Sequence, residues 1–386
     1  MKDISFIINH LGEDRDHYYN AITPPIFQTS NFAFRNVSEL KKAIADEKNS
    51  HIYSRGNNPT LDMLCKKVAA LEDSDEALAF ASGMAAISSA LISFVNAGDH
   101  IVSVRNNYSW TNMLMTKFLP RFGVETTFVD CRIPQNFAKA IRKNTRVIYL
   151  ESPNSITFEL QDIEAVAAIA KERGITTLID NSYSSPLTQS PALMGIDIIL
   201  HSASKYLGGH SDIVAGIVCG SSENIARIFK NEYLGLGGII SPFNAWLMLR
   251  GLRTLQARID RISVTTSSVI SYLENHPLVR DVLHPLSPNH PQYELAKKQM
   301  LKPTGLFSVR LNISDKNKAE LFVNSLRQFI IGVSWGGHES LVFPAMSFDE
   351  ERTKEGYTSN LVRFYIGLDE ADCLIKDLEQ AFDKIS

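Results

Sequence analysis

The sequence predicts an α/β fold, a mostly parallel sheet covered by helices and followed by a smaller C-terminal α+β domain. Two observations carry this prediction. From about Glu76 onward, short β-rich runs alternate with segments of helical apolar spacing. After Ser241-Pro242 that alternation stops, and one long helical stretch leads into a looser mixture of strands and helices. In an open sheet of this kind, ligands bind beyond the carboxyl ends of the strands.

Taken in order, residues before about Ser50 show no apolar core of their own and read as an arm (1–50) packed on another surface, that of a neighbouring subunit. A large domain (51–242) follows. EALAFA (Glu76 to Ala81) leads into SGMAAISSALISFV. Then come HIVSV (His100 to Val104), VETTFVD, RVIYLES (Arg146 to Ser152), ITTLIDNS (Ile175 to Ser182) and IDIILHS (Ile196 to Ser202). Between them, QDIEAVAAIAKERG has helical spacing and ends in Gly174, suited to a C-cap. In the C-terminal domain (243–386), FNAWLMLRGLRTLQARIDRISVTTSSVISYLENH predicts a long helix broken near Gly251. GLFSVRLNI, KAELFVNSLRQF and LVRFYIGL complete an α+β unit.

Bulk properties narrow the function. The 386 residues, 44% hydrophobic and 21% charged, suffice for roughly two to three domains with ordinary cores. A net charge of -3 argues against nucleic acid or an anionic membrane surface as the main partner and favours small metabolites. No signal peptide or membrane-spanning run is apparent. Cys65, Cys131, Cys219 and Cys373 lie far apart without a C-x-x-C pair, which suits a reducing cytoplasm better than disulfides or zinc.

Chemistry-bearing residues collect at the expected rim. Asp180 follows TTLI, Lys205 follows IDIILHSAS, Ser82-Gly83-Met84 follow ALAFA, and Tyr108 follows IVSVRN. Each has a bland reading: a helix cap for Ser82-Gly83-Met84 and Asp180, a core aromatic for Tyr108, turn-forming serines for Ser202 and Ser204, a surface charge for Lys205. Together they offer a helix N-terminus and hydroxyls for a phosphate, an acid for a ring N–H⁺, an aromatic lid and an amine. That combination fits pyridoxal phosphate, whose aldehyde bonds a lysine. No G-x-x-x-x-G-K-[ST], H-E-x-x-H or G-x-S-x-G motif competes, and no metal is expected. His201 and His210 read as structural.

The sequence also resembles a known family, the Cys/Met-metabolism pyridoxal-phosphate enzymes, which include the cystathionine lyases, cystathionine γ-synthase and methionine γ-lyase. The resemblance runs from about Ile22 to Ile375 through YSRGNNPT, SGMAA, ESPNSITFELQDI, IDNSYSSP, HSASKYLGGHSD, GLRTLQAR, SWGGHESL and VRFYIGLDEADCLI. It implies the fold-type-I architecture with a seven-stranded sheet. Lys205 matches the cofactor-bonding lysine, Asp180 the partner of the ring nitrogen, Tyr108 the stacked aromatic, and Gly83, Met84, Ser202 and Ser204 the phosphate seat. Tyr53 and Arg55 match residues that reach a neighbouring subunit's cofactor, which implies shared sites and a homotetramer. Arg363 matches the grip on the substrate α-carboxylate, and Ser334 and Trp335 line the same pocket. A cationic Arg55 beside Tyr108 would lower the phenol's pKa. Arg250, Arg253, Arg258 and Arg261 read as interface and helix-surface charge.

Within the family, ESPNSITFE and SWGGHES resemble bacterial cystathionine β-lyases, whereas YSRGNNPT and IDNSYSSP resemble the γ-branch. Ser155 stands where the γ-branch commonly has asparagine. Tyr108-Ser109-Trp110 lacks the cysteine typical of methionine γ-lyase, and His338 replaces a tyrosine of the similar β-lyases. The expected activity is therefore a carbon-sulfur lyase acting on a sulfur amino acid, β-elimination from cystathionine first and γ-chemistry second. A regulatory protein that merely binds the cofactor is disfavoured by the intact Lys205, Asp180, Tyr108 and Arg363 set.

Overall fold

The structure, a computed structural model, describes residues 3–345 and 358–386. Seven strands form the first sheet: β1 (Glu76–Phe80), β2 (His100–Val104), β3 (Glu125–Val129), β4 (Thr145–Glu151), β5 (Thr176–Asp180), β6 (Ile198–Ser202) and β7 (Gly216–Gly220). Their order is β1-β7-β6-β5-β4-β2-β3, and only β7 runs against its two neighbours. The sheet is therefore mixed but mostly parallel, as expected from six of the strands. The seventh, β7, has too little sequence signal between its glycines to stand out.

Both faces are covered, which explains why the strands read as near-continuous apolar runs. One face buries Ile148, Leu150, Ile179, Ile199 and Ile217. The other buries Val147, Tyr149, Leu178, Ile198 and Leu200 under the helix Gly83–Ser93, which packs across β6 and β7. Each such fully buried aliphatic side chain contributes about 1.5–3 kcal/mol.

The second sheet has five strands, β8 (Val279–Leu283), β9 (Leu306–Leu311), β10 (Ile330–Ile331), β11 (Leu341–Pro344) and β12 (Leu361–Tyr365), in the order β10-β11-β12-β9-β8. Helices Leu255–Glu274, Lys316–Ser325 and Ala371–Phe382 share a core with it. The long C-terminal helical stretch does break, into Pro242–Arg253 and Leu255–Glu274, but at Thr254 rather than Gly251. Gly251 lies within the first of these helices, and its lack of a side chain lets the Gly208 carbonyl pass where a Cβ would be.

The arm lies partly on its own chain. Helix Ile4–Asn9 packs on helix Pro59–Leu71, where buried Lys67 donates to the carbonyls of Ile7 and Ile8 at 3.0 and 2.9 Å. Glu13, with no side-chain exposure, receives Lys67 at 3.1 Å, Arg15 at 2.8 Å and Arg253 at 3.3 Å. Trp246 Nε1 donates to the Pro24 carbonyl at 2.9 Å. No helix among the described residues is long and apolar enough to cross a membrane.

Candidate active site

β6 ends at Ser202, and the chain turns at once: Lys205 N–H donates to the Ser202 carbonyl at 3.0 Å. The turn aims Lys205 at the loop between β10 and β11. Its Nζ donates to Ser334 Oγ at 2.7 Å and lies 5.3 Å from the Trp335 ring centre. Trp335 is itself wedged edge-on against Tyr206. Gly336, at φ +89°, comes so close that a Cβ there would fall 2.7 Å from Lys205 Cα. Burial first, then the Arg363 cation, lowers the Lys205 ammonium to a pKa of about 8. A good fraction of this lysine is thus neutral, and hence nucleophilic, near physiological pH.

Asp180 ends β5 and Glu151 ends β4, and the two are directly opposite in the parallel register. Both carboxyl groups are buried. Asp180 Oδ1 accepts the Ser182 N–H at 2.9 Å and the Ser182 hydroxyl at 2.5 Å, which leaves Oδ2 as the oxygen for a protonated ring nitrogen. Burial raises the Asp180 pKa. Glu151 Oε2 accepts the backbone N–H of Tyr108 at 2.6 Å. Burial, then the Asp180 charge, pushes Glu151 up to about 8. Tyr108 itself is 43% exposed on the rim. Its phenol is raised, by burial and then by Asp180 and Glu151, so within one chain the expected lowering is reversed. Burial, and the carboxyl groups that end the neighbouring strands β4 and β5, work in the same direction.

The helix Gly83–Ser93 opens under a Ser82 N-cap whose Oγ accepts the Ala85 N–H at 3.0 Å. Its first turn directs backbone N–H groups at the rim, a seat for an anion. Gly83 is pressed against Ser202, where a Cβ would meet Cα and Cβ of that serine at 3.0 Å. Met84 follows, with Sδ 3.9 Å from the Thr111 hydroxyl. Ser204 Oγ accepts the Ala215 N–H at 2.9 Å, tying the turn to the start of β7. Gly83, Met84, Ser202 and Ser204 therefore belong to one corner. A buried acid, a depressed lysine and a helix N-terminus narrowed to glycine fit pyridoxal phosphate: Lys205 would bond its aldehyde, Asp180 its ring nitrogen, and the Gly83 corner its phosphate.

Arg363, on β12, approaches from the second sheet. Its guanidinium donates to the carbonyls of Ser155 at 3.3 Å and Val333 at 2.8 Å and lies 5.1 Å from the Phe343 ring centre. The fork is thereby fixed between the segments carrying Ser155 and Ser334-Trp335. Trp110 is 55% exposed in the first turn after Tyr108. His338 pairs with Glu339 at 3.2 Å, and Glu339 accepts the Ser211 hydroxyl at 2.6 Å. Tyr53, 49% exposed, and Arg55, also exposed, face each other, with the Arg55 guanidinium 5.9 Å from the Tyr53 ring centre.

His201 and His210 are structural as expected, His201 buried on Glu72 at 2.5 Å and His210 bonded to the Gly208 carbonyl at 2.9 Å. Arg258 is not the surface charge its sequence suggests: it is 3% exposed and donates to Gly251 O at 2.9 Å and Thr254 Oγ1 at 3.1 Å. Gly209, at φ +71°, makes room for that guanidinium. Glu151 went unnoticed, although RVIYLES and ITTLIDNS both end in an acid after an apolar strand, which is the pattern that brings two carboxylates to one edge.

A family model described as "Cys/Met metabolism PLP-dependent enzyme" matches residues 6–383. The chain is 38% identical to cystathionine gamma-lyase of Bacillus subtilis, with all of both chains covered. It is 37% identical to L-methionine gamma-lyase of Treponema denticola, covering 97% of this chain and 96% of the relative. It is 36% identical to cystathionine beta-lyase MetC of Bacillus subtilis, covering 91% of each. Among solved structures, metB from Corynebacterium glutamicum superposes with a TM-score of 0.93 at 33% identity, over 100% of this chain and 99% of the other. The chain belongs to the Cys/Met metabolism family of pyridoxal-phosphate-dependent enzymes, in the fold-type-I architecture, and is a lyase of sulfur amino acids.

Proposed function

We propose that the protein eliminates the β-thiolate of L-cystathionine or of an L-cysteine conjugate, giving pyruvate, ammonia and a thiol. The observation that carries this reading is Trp335, whose ring lies 5.3 Å from Lys205 Nζ while Ser334 holds the same amine at 2.7 Å. β-Elimination asks the lysine to remove one proton, at Cα. γ-Elimination asks for a second, at Cβ, and so for travel of the amine that this wall opposes.

Bound pyridoxal phosphate supplies the electron sink that acidifies the Cα proton. The chain's own residues do the rest. The Arg363 fork, oriented by two carbonyls, would receive the substrate α-carboxylate. Lys205, poised near pH 8, would take the Cα proton as a positioned base and pass it to the departing thiolate. Asp180 would hold the proton on the ring nitrogen, Tyr108 would cover the ring, and the Gly83 corner with Met84, Ser202 and Ser204 would seat the phosphate.

A second reading, γ-chemistry on cystathionine or methionine, is favoured by the relatives named gamma-lyases and by the YSRGNNPT and IDNSYSSP segments. The keto acid released from cystathionine separates the two. Pyruvate is expected; 2-oxobutanoate without pyruvate sinks the β-reading in favour of the γ-reading.

Tyr53 and Arg55, both exposed on this chain and in contact with each other, support an assembly in which they serve a neighbour's cofactor, a homotetramer with shared sites. A fully active monomer in sedimentation would contradict it. Four cysteines without a disulfide support a cytoplasmic location.

A further inference from the structure

Glu151 is a buried acid that none of the steps above uses. It ends β4 directly opposite Asp180 on β5, and its Oε2 accepts the Tyr108 backbone N–H at 2.6 Å. One side chain therefore touches the backbone of the ring-covering tyrosine and faces the partner of the ring nitrogen. Its own backbone is fixed, because Glu151 N–H donates to the buried Gln161 side chain at 3.1 Å.

Two buried carboxyl groups on adjacent strands cannot both be anionic without a steep cost, so the pair retains one proton near neutrality. The geometry decides which acid keeps it. Asp180 is served at one oxygen by both the Ser182 N–H and hydroxyl, and the ring N–H⁺ of a bound cofactor would give its other oxygen a cationic partner that favours its anion. Glu151 has the Tyr108 amide and that of Ser155, with Tyr108 and Asp180 as its ionisable neighbours. The better-served acid ionises first.

We propose that Glu151 is a positioning residue which holds the pair's single proton, leaving Asp180 as the only anion against the cofactor's ring nitrogen, while its carboxyl oxygen anchors the backbone of Tyr108. A neutral Glu151 gives Asp180 an undivided claim on the ring N–H⁺. Ionised in alkali, it would instead put a second negative charge beside the cofactor. This holds whichever carbon-sulfur bond is cleaved. It rests on the cofactor lying against Asp180.

The test uses the holoenzyme and two variants, Glu151→Gln and Glu151→Leu. Glutamine is neutral at every pH and keeps an oxygen for the Tyr108 N–H; leucine keeps neither acceptor nor proton. The readouts are the pH titration of the bound cofactor's visible band and the cofactor dissociation constant. Wild type should show an alkaline spectral step near pH 8 that Glu151→Gln lacks, with cofactor held within about threefold of wild type at neutral pH. Glu151→Leu should hold cofactor about tenfold or more weakly, with a diminished circular-dichroism signal from the bound cofactor. Tenfold cofactor loss in Glu151→Gln, or a retained alkaline step, overturns the proposal, as does wild-type cofactor binding in Glu151→Leu. An Asp180→Ala control that keeps both cofactor and its visible band would instead overturn the placement on which the proposal rests.

Discussion

The depressed Lys205 can be measured through the assembly of the cofactor site itself. Only a neutral amine bonds an aldehyde. With a pKa of about 8, about a tenth of Lys205 is neutral at pH 7. An ordinary lysine at 10.4 would be neutral at about 1 part in 2,500, so the site should react about 250-fold faster than a surface lysine from this effect alone. The assay is stopped-flow reconstitution of cofactor-stripped enzyme, following the visible absorbance as a function of pH. The rate should rise about fivefold from pH 7 to 8 and level off above about pH 9. Arg363→Leu removes the cation that is the second cause of the depression, so its plateau should begin at higher pH; burial, the first cause, remains. A rate that climbs tenfold per pH unit through pH 10 in the wild type would refute the reasoning, since it would mark an unperturbed lysine. The same shift has a stability signature. The folded state binds its proton less tightly than the unfolded chain, so the penalty is present below pH 8 and is relieved as pH rises toward the unfolded value.

Gly336→Ala should cost both backbone strain at φ +89° and a clash with Lys205 Cα, about 2–5 kcal/mol in all, and should lower cofactor occupancy. Gly174→Ala, at φ +62° with nothing within 4 Å, is its control: about 1–2 kcal/mol, with occupancy unaffected. Equal melting temperatures for the two variants would argue against the clash. Glu13→Ala leaves Lys67 buried without its carboxylate and should destabilise by about 3–5 kcal/mol, read as a lower melting temperature with faster proteolysis near the N-terminus.

Five of the strands were legible because they are buried along most of their length and read as compact apolar runs; β3, an edge strand exposed or half-buried over Glu125–Phe128, was legible from its β-branched and aromatic residues instead. β7 was not, since Gly216–Gly220 offers three apolar residues between glycines. In the second sheet, β8, β10 and β11 escape notice because VRDVL is half solvated, Ile330–Ile331 is a two-residue exposed edge, and LVFP is four residues long and ends in proline. Lys205 and Asp180 could be found as single residues after strands. The Lys205 contact with Ser334 could not, because 129 residues separate them and only the packing of the second sheet on the first closes that distance. Arg258 misled for a related reason: a helical arginine among three others reads as solvated until Gly209 is seen to open a space for it.

The reversed strand β7 has a consequence for synthesis on the ribosome. β1 lies at the sheet edge, pairs along its length with β7 and meets Ile239 only at Phe80, and the helix that follows β1 packs on β6 and β7. The phosphate corner begins at Ser82, yet it has no wall to lean on until residues near 220 have been made. By then Lys205 has also emerged. A growing chain thus cannot offer half a cofactor site: the earliest strand waits for the latest, and capture of the cofactor follows completion of the sheet rather than guiding it.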